Sequence, residues 1–573
     1  MSTSVNPPDK YRVAVVGAGI TGAVAASELA KLASQSSAIH CDDRGIAKNE
    51  AFASGNTTSN SGRPQDTTEN LQVVVFDQGR RGPGGRASHR SVSTSTGQVL
   101  ADDLKNIQEY TRKNNEDGNN DMKTYQFDHG CQFFRADSSL MQKDLLETWL
   151  EKGWAEPWNA RFGCLTMASD DKTNTENGDS DFFGVPTALS NGESSNASID
   201  ENVYIGVGGM HLLPRRILDE SSSDTTQQHV DSSSNNRPHH PLVVHRGNRV
   251  QGVSRNSETG KWDLETIGGT AAYHDTKAPS TTTTHSKSQT ISNNEPTIHG
   301  SFDAVLFTDI SSSFDAWHRA SAGIPDSFRA RLPTKIRIPL FSCMIALSAP
   351  VRQLLPYDAF TIATNQNDKL WFASVSQSKP GMYENEKSNG NDISPECWTL
   401  ISTPSFAVQE IQSTTMRDEK TGEFKPQENS YLNTIPGPAL AQIFLDNIRP
   451  FVEKSAATIE MPKIVYLQAQ RWGSGLPAPE SIVKSTVDIC GTTYVSELKT
   501  LSMVFPRPPP SSCGEIDFVA DDALGLYYAG DFCSHRNPGL EAASLSGLEV
   551  ARHIWMQVPQ AFRASTTAGE TLT

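Results

Sequence analysis

The sequence predicts an α/β fold in which a parallel sheet is assembled from widely separated pieces of chain, beside a second, α+β domain. Three observations predict it. An apolar run, YRVAVVGAG at 11–19, leads into a helical pattern whose apolar face carries Ile20, Val24 and Leu29, and then into a second apolar run, LQVVVFDQG at 71–79. Strand-like and helix-like pieces continue to alternate down the chain, the pattern of an α/β architecture. Far downstream LYYAGD at 526–531 is again an apolar run ending in glycine, followed by a helix rich in small residues.

The further strands expected are PLVVHRGNRVQGV (241–253), KWDLET (261–266) and FDAVLFTD (302–309), with helices near 138–152, 209–218, 436–451 and 539–555. Between them lie tracts of Ser, Thr, Asn, Asp, Gln and Gly at about 34–70, 101–123, 168–200, 219–240, 268–299, 383–395 and 412–430. Such composition buries too little apolar area to offset the entropy of ordering, so these tracts read as surface insertions or disorder.

They also explain why only 36% of the 573 residues are hydrophobic. The formal charge of -16 is spread through the polar tracts, which speaks against nucleic acid and anionic lipid as partners. None of the eight cysteines, Cys41, Cys131, Cys164, Cys343, Cys397, Cys490, Cys513 and Cys533, stands in a C-x-x-C pair, so a disulfide scaffold, a zinc knuckle and a dithiol relay lose support and no metal is expected. The first residues, MSTSVNPPDK, lack a basic segment followed by an apolar one, and PLFSCMIALSAPV at 339–351 is shorter than the ~20 residues that cross a bilayer. A soluble, cytoplasmic protein is the expectation.

Gly17-Ala18-Gly19-Ile20-Thr21-Gly22 is a G-x-G-x-x-G pattern between a strand and a helix, the Rossmann-like arrangement for a dinucleotide. Gly17 permits the turn, Gly19 lets a pyrophosphate approach the backbone, and Gly22 lets the helix pack on the strand. Asp77, closing VVVFD, stands where a carboxylate takes ribose hydroxyls once 34–70 is counted as an insertion. GRRGPGGRASHR at 79–90 then supplies Gly84, Gly85 and Arg86, a loop that can lie against a planar or phosphorylated ligand with a guanidinium nearby. At the far end Gly530 and Asp531 close a strand, and Leu540, Glu541 and Ala542 open a helix whose small residues let its amides approach an anionic or electron-rich edge.

With these segments the chain resembles the flavin amine oxidase superfamily. FDHGCQFF (127–134) resembles its D-x-G-x-Q element, YIGVGGMHLLPRRIL (204–218) its G-G-M helix, and QAQRWGSGLPAP (468–479) its R-W segment; in order and character they resemble the renalase-like branch. The resemblance implies a non-covalently held FAD. The FAD-binding domain would comprise 10–90, 204–310 and 515–557, and the substrate domain 125–165 and 311–514. Gly17, Gly19 and Gly22 would meet the pyrophosphate and Asp77 the adenosine ribose, with the Val244 backbone at adenine. Gly84, Gly85 and Arg86 would lie on the flavin side with Gln132 near the ring, Gly530 and Asp531 would face the ribityl-phosphate, and Leu540, Glu541 and Ala542 the pyrimidine edge.

Trp371, Phe372, Trp398 and Trp472 are either pocket aromatics or core, with Trp371 and Trp472 the better pocket candidates; His129, His245 and His535 have no metal-ligand spacing. No cysteine is placed to attach a flavin, and no lysine matches the one that many amine oxidases set beside the ring. The resemblance implies an oxidase that takes hydride from a small-molecule substrate, dihydronicotinamide dinucleotides reduced at the wrong ring position, and returns electrons to dioxygen. A flavin amine oxidase, a polyene desaturase and a non-catalytic escort protein that has lost its FAD stay open as alternatives.

Overall fold

The computed structural model describes residues 10–42, 70–79, 82–100, 124–165, 203–221, 241–268, 296–308, 324–333, 336–362, 369–383, 395–415, 429–455, 460–478, 480–490, 492–499 and 517–563. Most of the polar tracts lie outside these residues.

The first sheet is built from strands whose neighbours in space are far apart in sequence. Across it run Phe518–Asp521, Leu526–Ala529, Ala304–Phe307, Tyr11–Val16, Leu71–Asp77 and Leu242–Arg246. All neighbours pair in parallel except the antiparallel edge strand Phe518–Asp521. Numbered along the chain, the five parallel strands follow the order 3-2-1-4-5, so the winding reverses between Tyr11–Val16 and Ala304–Phe307. Central strands of a parallel sheet are covered on both faces, which is why they read as unbroken apolar runs such as AVLF and LYYA. One face is covered by the helices Ile20–Asp42 and Leu540–Gln557, where Ile20, Val24, Leu29, Leu545 and Leu548 are buried in one core.

The second sheet is dominated by the strand Ile336–Leu347, flanked by Glu396–Ser402 and the long strand Ile464–Ala478. Helices Pro404–Ser413 and Pro436–Ser455 contribute Phe406, Leu440 and Phe444 to the core on one side of it, packed with Phe341, Phe360 and Trp398. A hairpin of His89–Ser93 and Thr124–Asp128 forms a separate small core with it through Val92, Tyr125, Phe127, Met344, Ala346 and Cys397. The chain is thus an α/β parallel-sheet unit joined to an α+β unit.

Several elements differ from the sequence reading. The stretch 241–253 is two strands, Leu242–Arg246 and Asn248–Arg255, because Gly247 turns the chain with φ 69. FDAVLFTD divides likewise: Phe302 ends an antiparallel strand, Asp303 donates its N–H to the Arg12 carbonyl, and Ala304–Phe307 joins the parallel sheet. Polar tracts invade helices at their ends, for the first helix runs on to Asp42 and that following the G-G-M segment spans Leu212–Ser221. The expected 138–152 helix holds a single π turn, Gln142–Leu146.

Candidate functional site

Parallel strands carry their C-terminal ends to one edge of the sheet, and a ligand settles there where the winding reverses. Gly17, Asp77 and Gly530 stand at that edge, at the ends of three of the strands. After Tyr11–Val16 the chain turns through Gly17, whose N–H donates to the Phe76 carbonyl, and enters the helix at Ile20. The hydroxyl of Thr308, just beyond Ala304–Phe307, donates to the carbonyls of Val16 and Gly17 at 2.9 and 3.0 Å and so pins the turn from the far side of the switch point.

Gly22 sits directly beneath this turn. A Cβ there would lie 2.0 Å from the Gly17 carbonyl oxygen, so only glycine lets the helix come this close. Gly19 is different, since its added Cβ would meet nothing nearer than the Gly84 oxygen at 4.0 Å. The helix has no acidic residue in its own first turn to compete for its first N–H groups, which lack intrahelical partners. Open backbone at a helix N-terminus fits the pyrophosphate of a dinucleotide.

The second glycine segment meets the first directly. Gly84 bridges to Gly19, its N–H donating to the Ala18 carbonyl at 3.1 Å, and Gly85 adopts φ 55 against Gly19. Arg86 then reaches the tail of the chain. Its guanidinium grips Asp531 with two N–H donations of 2.8 and 2.5 Å and a third, 3.2 Å, to the Gly475 carbonyl in the R-W segment. The Asp531 side chain is 1% exposed and that of Arg86 35%, so a bidentate pair with a buried carboxylate joins segments 445 positions apart.

Beyond Asp531 the helix Leu540–Gln557 begins at Gly539, which has φ 148, no side-chain cap and no atom within 4 Å of an added Cβ. Leu540 and Ala542 are buried. The Glu541 carboxylate is taken by the N–H groups of Asp137 and Ser138, each at 2.9 Å, and so braces the segment that follows FDHGCQFF.

Asp77 is buried at the end of its strand and accepts the Gly79 N–H at 3.2 Å. Val244 lies in the adjoining strand, paired in register with Val75. Gln132 is saturated: its amide donates to the carbonyls of Asp128 and Gly130 at 2.6 and 3.0 Å, while its oxygen accepts from Ser374 and Lys379 at 3.0 and 3.1 Å.

Trp472 donates to the His129 carbonyl at 3.0 Å and to Ser342 Oγ at 3.1 Å, and its ring lies over His129 beside Gly130. Trp371 and Phe372 are buried in the main core, and Trp398 is core in the second sheet, packed with Phe360 and Phe444. His245 stacks on Phe76, and His535 is exposed, its N–H held by Asp517.

The sequence reading missed a buried ionic cluster behind FDHGCQFF. Asp128, fully buried, accepts from His89 Nδ1 at 3.1 Å, from the Met210 N–H at 2.9 Å and from Lys379 Nζ at 3.0 Å. Burial alone opposes its charge, but Lys379, His89 and the Met210 amide together hold its carboxyl well below the usual range. Burial and the Asp128 charge push the neighbouring Cys131 thiol up to about 11, so it stays protonated and unreactive at neutral pH.

His211 stacks on His89 with centroids 4.5 Å apart. Although ligand atoms of His89, Asp128 and His211 lie within 4.8 Å of one another, the trio is a poor metal cradle. Imidazole lone pairs lie in the ring planes, and those of two stacked rings run in separate, nearly parallel planes; Lys379 already neutralises the carboxylate.

No protein-family model and no curated protein matches the chain. Among solved structures it is similar to a candidate protoporphyrinogen oxidase from Exiguobacterium sp. 255-15, at 11% identity and a TM-score of 0.45, covering 96% of this chain and 100% of that one. It is similar also to reduced UDP-galactopyranose mutase, at 10% identity and a TM-score of 0.42, covering 98% and 100%. Both likenesses are distant, and the fold rests on the sheet order itself.

Proposed function

We propose that the chain is an FAD-dependent oxidoreductase of the oxidase type, holding FAD non-covalently and oxidising isomeric dihydronicotinamide dinucleotides to NAD(P)+ at the expense of dioxygen. The observation that carries the reading is the meeting of three glycine segments, Gly17–Gly22, Gly84–Gly85 and Gly530, at the C-terminal edge of a 3-2-1-4-5 parallel sheet, locked by Arg86 and Asp531. When bound, FAD supplies two-electron chemistry, accepting hydride from a reduced ring and passing electrons to dioxygen.

The residues of the chain bind and orient. Gly19 and the first turn of its helix take the pyrophosphate, Asp77 the adenosine ribose, and the Val244 backbone the adenine. Gly84, Gly85 and Arg86 line the flavin side; Asp531 fixes Arg86, and the open N-terminus at Gly539 to Ala542 faces the pyrimidine edge. Trp472 offers a planar surface for a nicotinamide ring at the sheet boundary. A dihydronicotinamide surrenders hydride without a general base, which agrees with the saturated state of Gln132 and Asp128.

The test is direct. The purified protein should be yellow and release FAD on heating, and its flavin should bleach anaerobically with a mixture of dihydronicotinamide isomers but not with amines. Bleaching by an amine would transfer the chain to the amine oxidases, and a colourless protein unable to take up FAD would make it an escort protein.

A further inference from the structure

Lys379 is a buried ammonium that no step of the proposed reaction uses. It follows the strand Leu370–Val375 and a single 3-10 turn in the α+β unit and is 1% exposed at its side chain. Its partners come from a distant stretch of chain, the segment that follows the Thr124–Asp128 strand and packs against the second sheet. Nζ donates to Asp128 Oδ2 at 3.0 Å and to Gln132 Oε1 at 3.1 Å, and lies 5.4 Å from the Trp158 ring centroid. Ser374 donates to the same glutamine oxygen, and the Thr399 hydroxyl donates to the Asp128 carbonyl at 3.0 Å. Three elements of the α+β unit therefore hold both ends of the 128–132 turn.

That turn in turn fixes the Arg86 loop. Cys131 donates its N–H to the Arg86 carbonyl at 2.7 Å, and His129 donates to the Ser88 carbonyl at 3.1 Å. Gly130 packs so tightly that an added Cβ would stand 2.0 Å from the Arg86 oxygen and 3.3 Å from Trp472. A shift of the turn must move Arg86, whose guanidinium position is set by Asp531 at the other end.

We propose that Lys379 is a positioning residue: through Asp128 and Gln132 it registers the α+β unit against the Gly84–Arg86 loop and thereby sets how firmly the flavin end of FAD is held. The inference rests on the FAD reading above. Its natural probe is FAD itself, so no substrate is needed.

The experiment compares the wild-type holoprotein with Lys379→Met, Asp128→Asn and the paired variant Lys379→Met with Asp128→Asn, which removes both charges together and keeps the fold testable where a single variant misfolds. FAD release is followed by the recovery of free-flavin fluorescence, alongside the visible absorption band of the bound flavin and the Tm of the apoprotein. The expected result is FAD release at least tenfold faster than wild type in the paired variant, with a shifted visible band and an apoprotein Tm close to wild type. Release within twofold of wild type and an unchanged band would overturn the proposal, whether or not the Tm falls. A wild-type protein that takes up no FAD would remove the FAD reading as well, whereas normal FAD uptake with unchanged release in the variant sinks the role of Lys379 alone.

Discussion

Gly22 and Gly19 occupy one motif yet answer to different constraints. At Gly22 an added methyl meets the Gly17 carbonyl at 2.0 Å, so Gly22→Ala should cost about 1–3 kcal/mol of stability, read as a lower Tm. Gly19→Ala meets open space and should leave the Tm nearly unchanged while weakening FAD retention; equal losses of Tm in both variants would show that Gly19 is structural too. His211 makes a second residue-scale prediction. Burial, then the charge of His89, hold it well below its ordinary 6.5, so the folded protein refuses a proton that the unfolded chain accepts. Stability is therefore full above pH 6.5 and falls below it, by at most ~1.4 kcal/mol per pH unit for this group. His245 and His299 are shifted the same way, so His211→Asn should flatten only part of the decline in urea midpoint between pH 7 and 5.5; an unchanged slope would reject the assignment. The glycines were legible because close approach and positive φ leave few residue types. Lys379 and His211 were not, since a lone lysine in SVSQSKPGM acquires meaning only from Asp128, 251 positions away, and a histidine after G-G-M only from His89, on the strand His89–Ser93, against which it stacks.

Elements obey the same division. The helices Ile20–Asp42 and Leu540–Gln557 touch at Gly547, where an added Cβ would lie 2.4 Å from the Thr21 carbonyl oxygen. Gly547→Leu should push the helices apart and lower the Tm more than the same change at Gly473, whose added Cβ meets nothing within 4 Å; circular dichroism melts decide it. Strands and helices were readable from apolar runs and periodicity, because each such run reports its own burial. Where one run held two strands, as at Gly247 and Asp303, periodicity carried no break, and the break came from a pairing with Arg12 or a positive φ. The crossover from Leu242–Arg246 to Ala304–Phe307 carries a three-stranded antiparallel sheet, two strands of which fall largely in stretches the sequence already marked as strand.

For the molecule as a whole, polar tracts are additions to a frame whose pairings are already set. Thr266 pairs with Thr297 across the antiparallel sheet, so replacing 269–295 by Asn-Gly should close a short hairpin and leave Tm and FAD content within experimental error of the full chain. A loss of FAD in that variant would give the tract a role in the site. The winding order of the parallel sheet was not legible at all, for it depends on which strand ends meet rather than on any strand's composition.

That order also dictates when the protein can become itself during synthesis. Ala304–Phe307 leaves the ribosome with one neighbour, Tyr11–Val16, waiting and the other, Leu526–Ala529, still to be translated. Until then a fully apolar strand stands at an unfinished margin, open to pairing with the wrong chain. Ribosome-stalled chains ending at residue 515 should thus be protease-sensitive around 304–307 and depend on chaperones, and chains released beyond 557 should not.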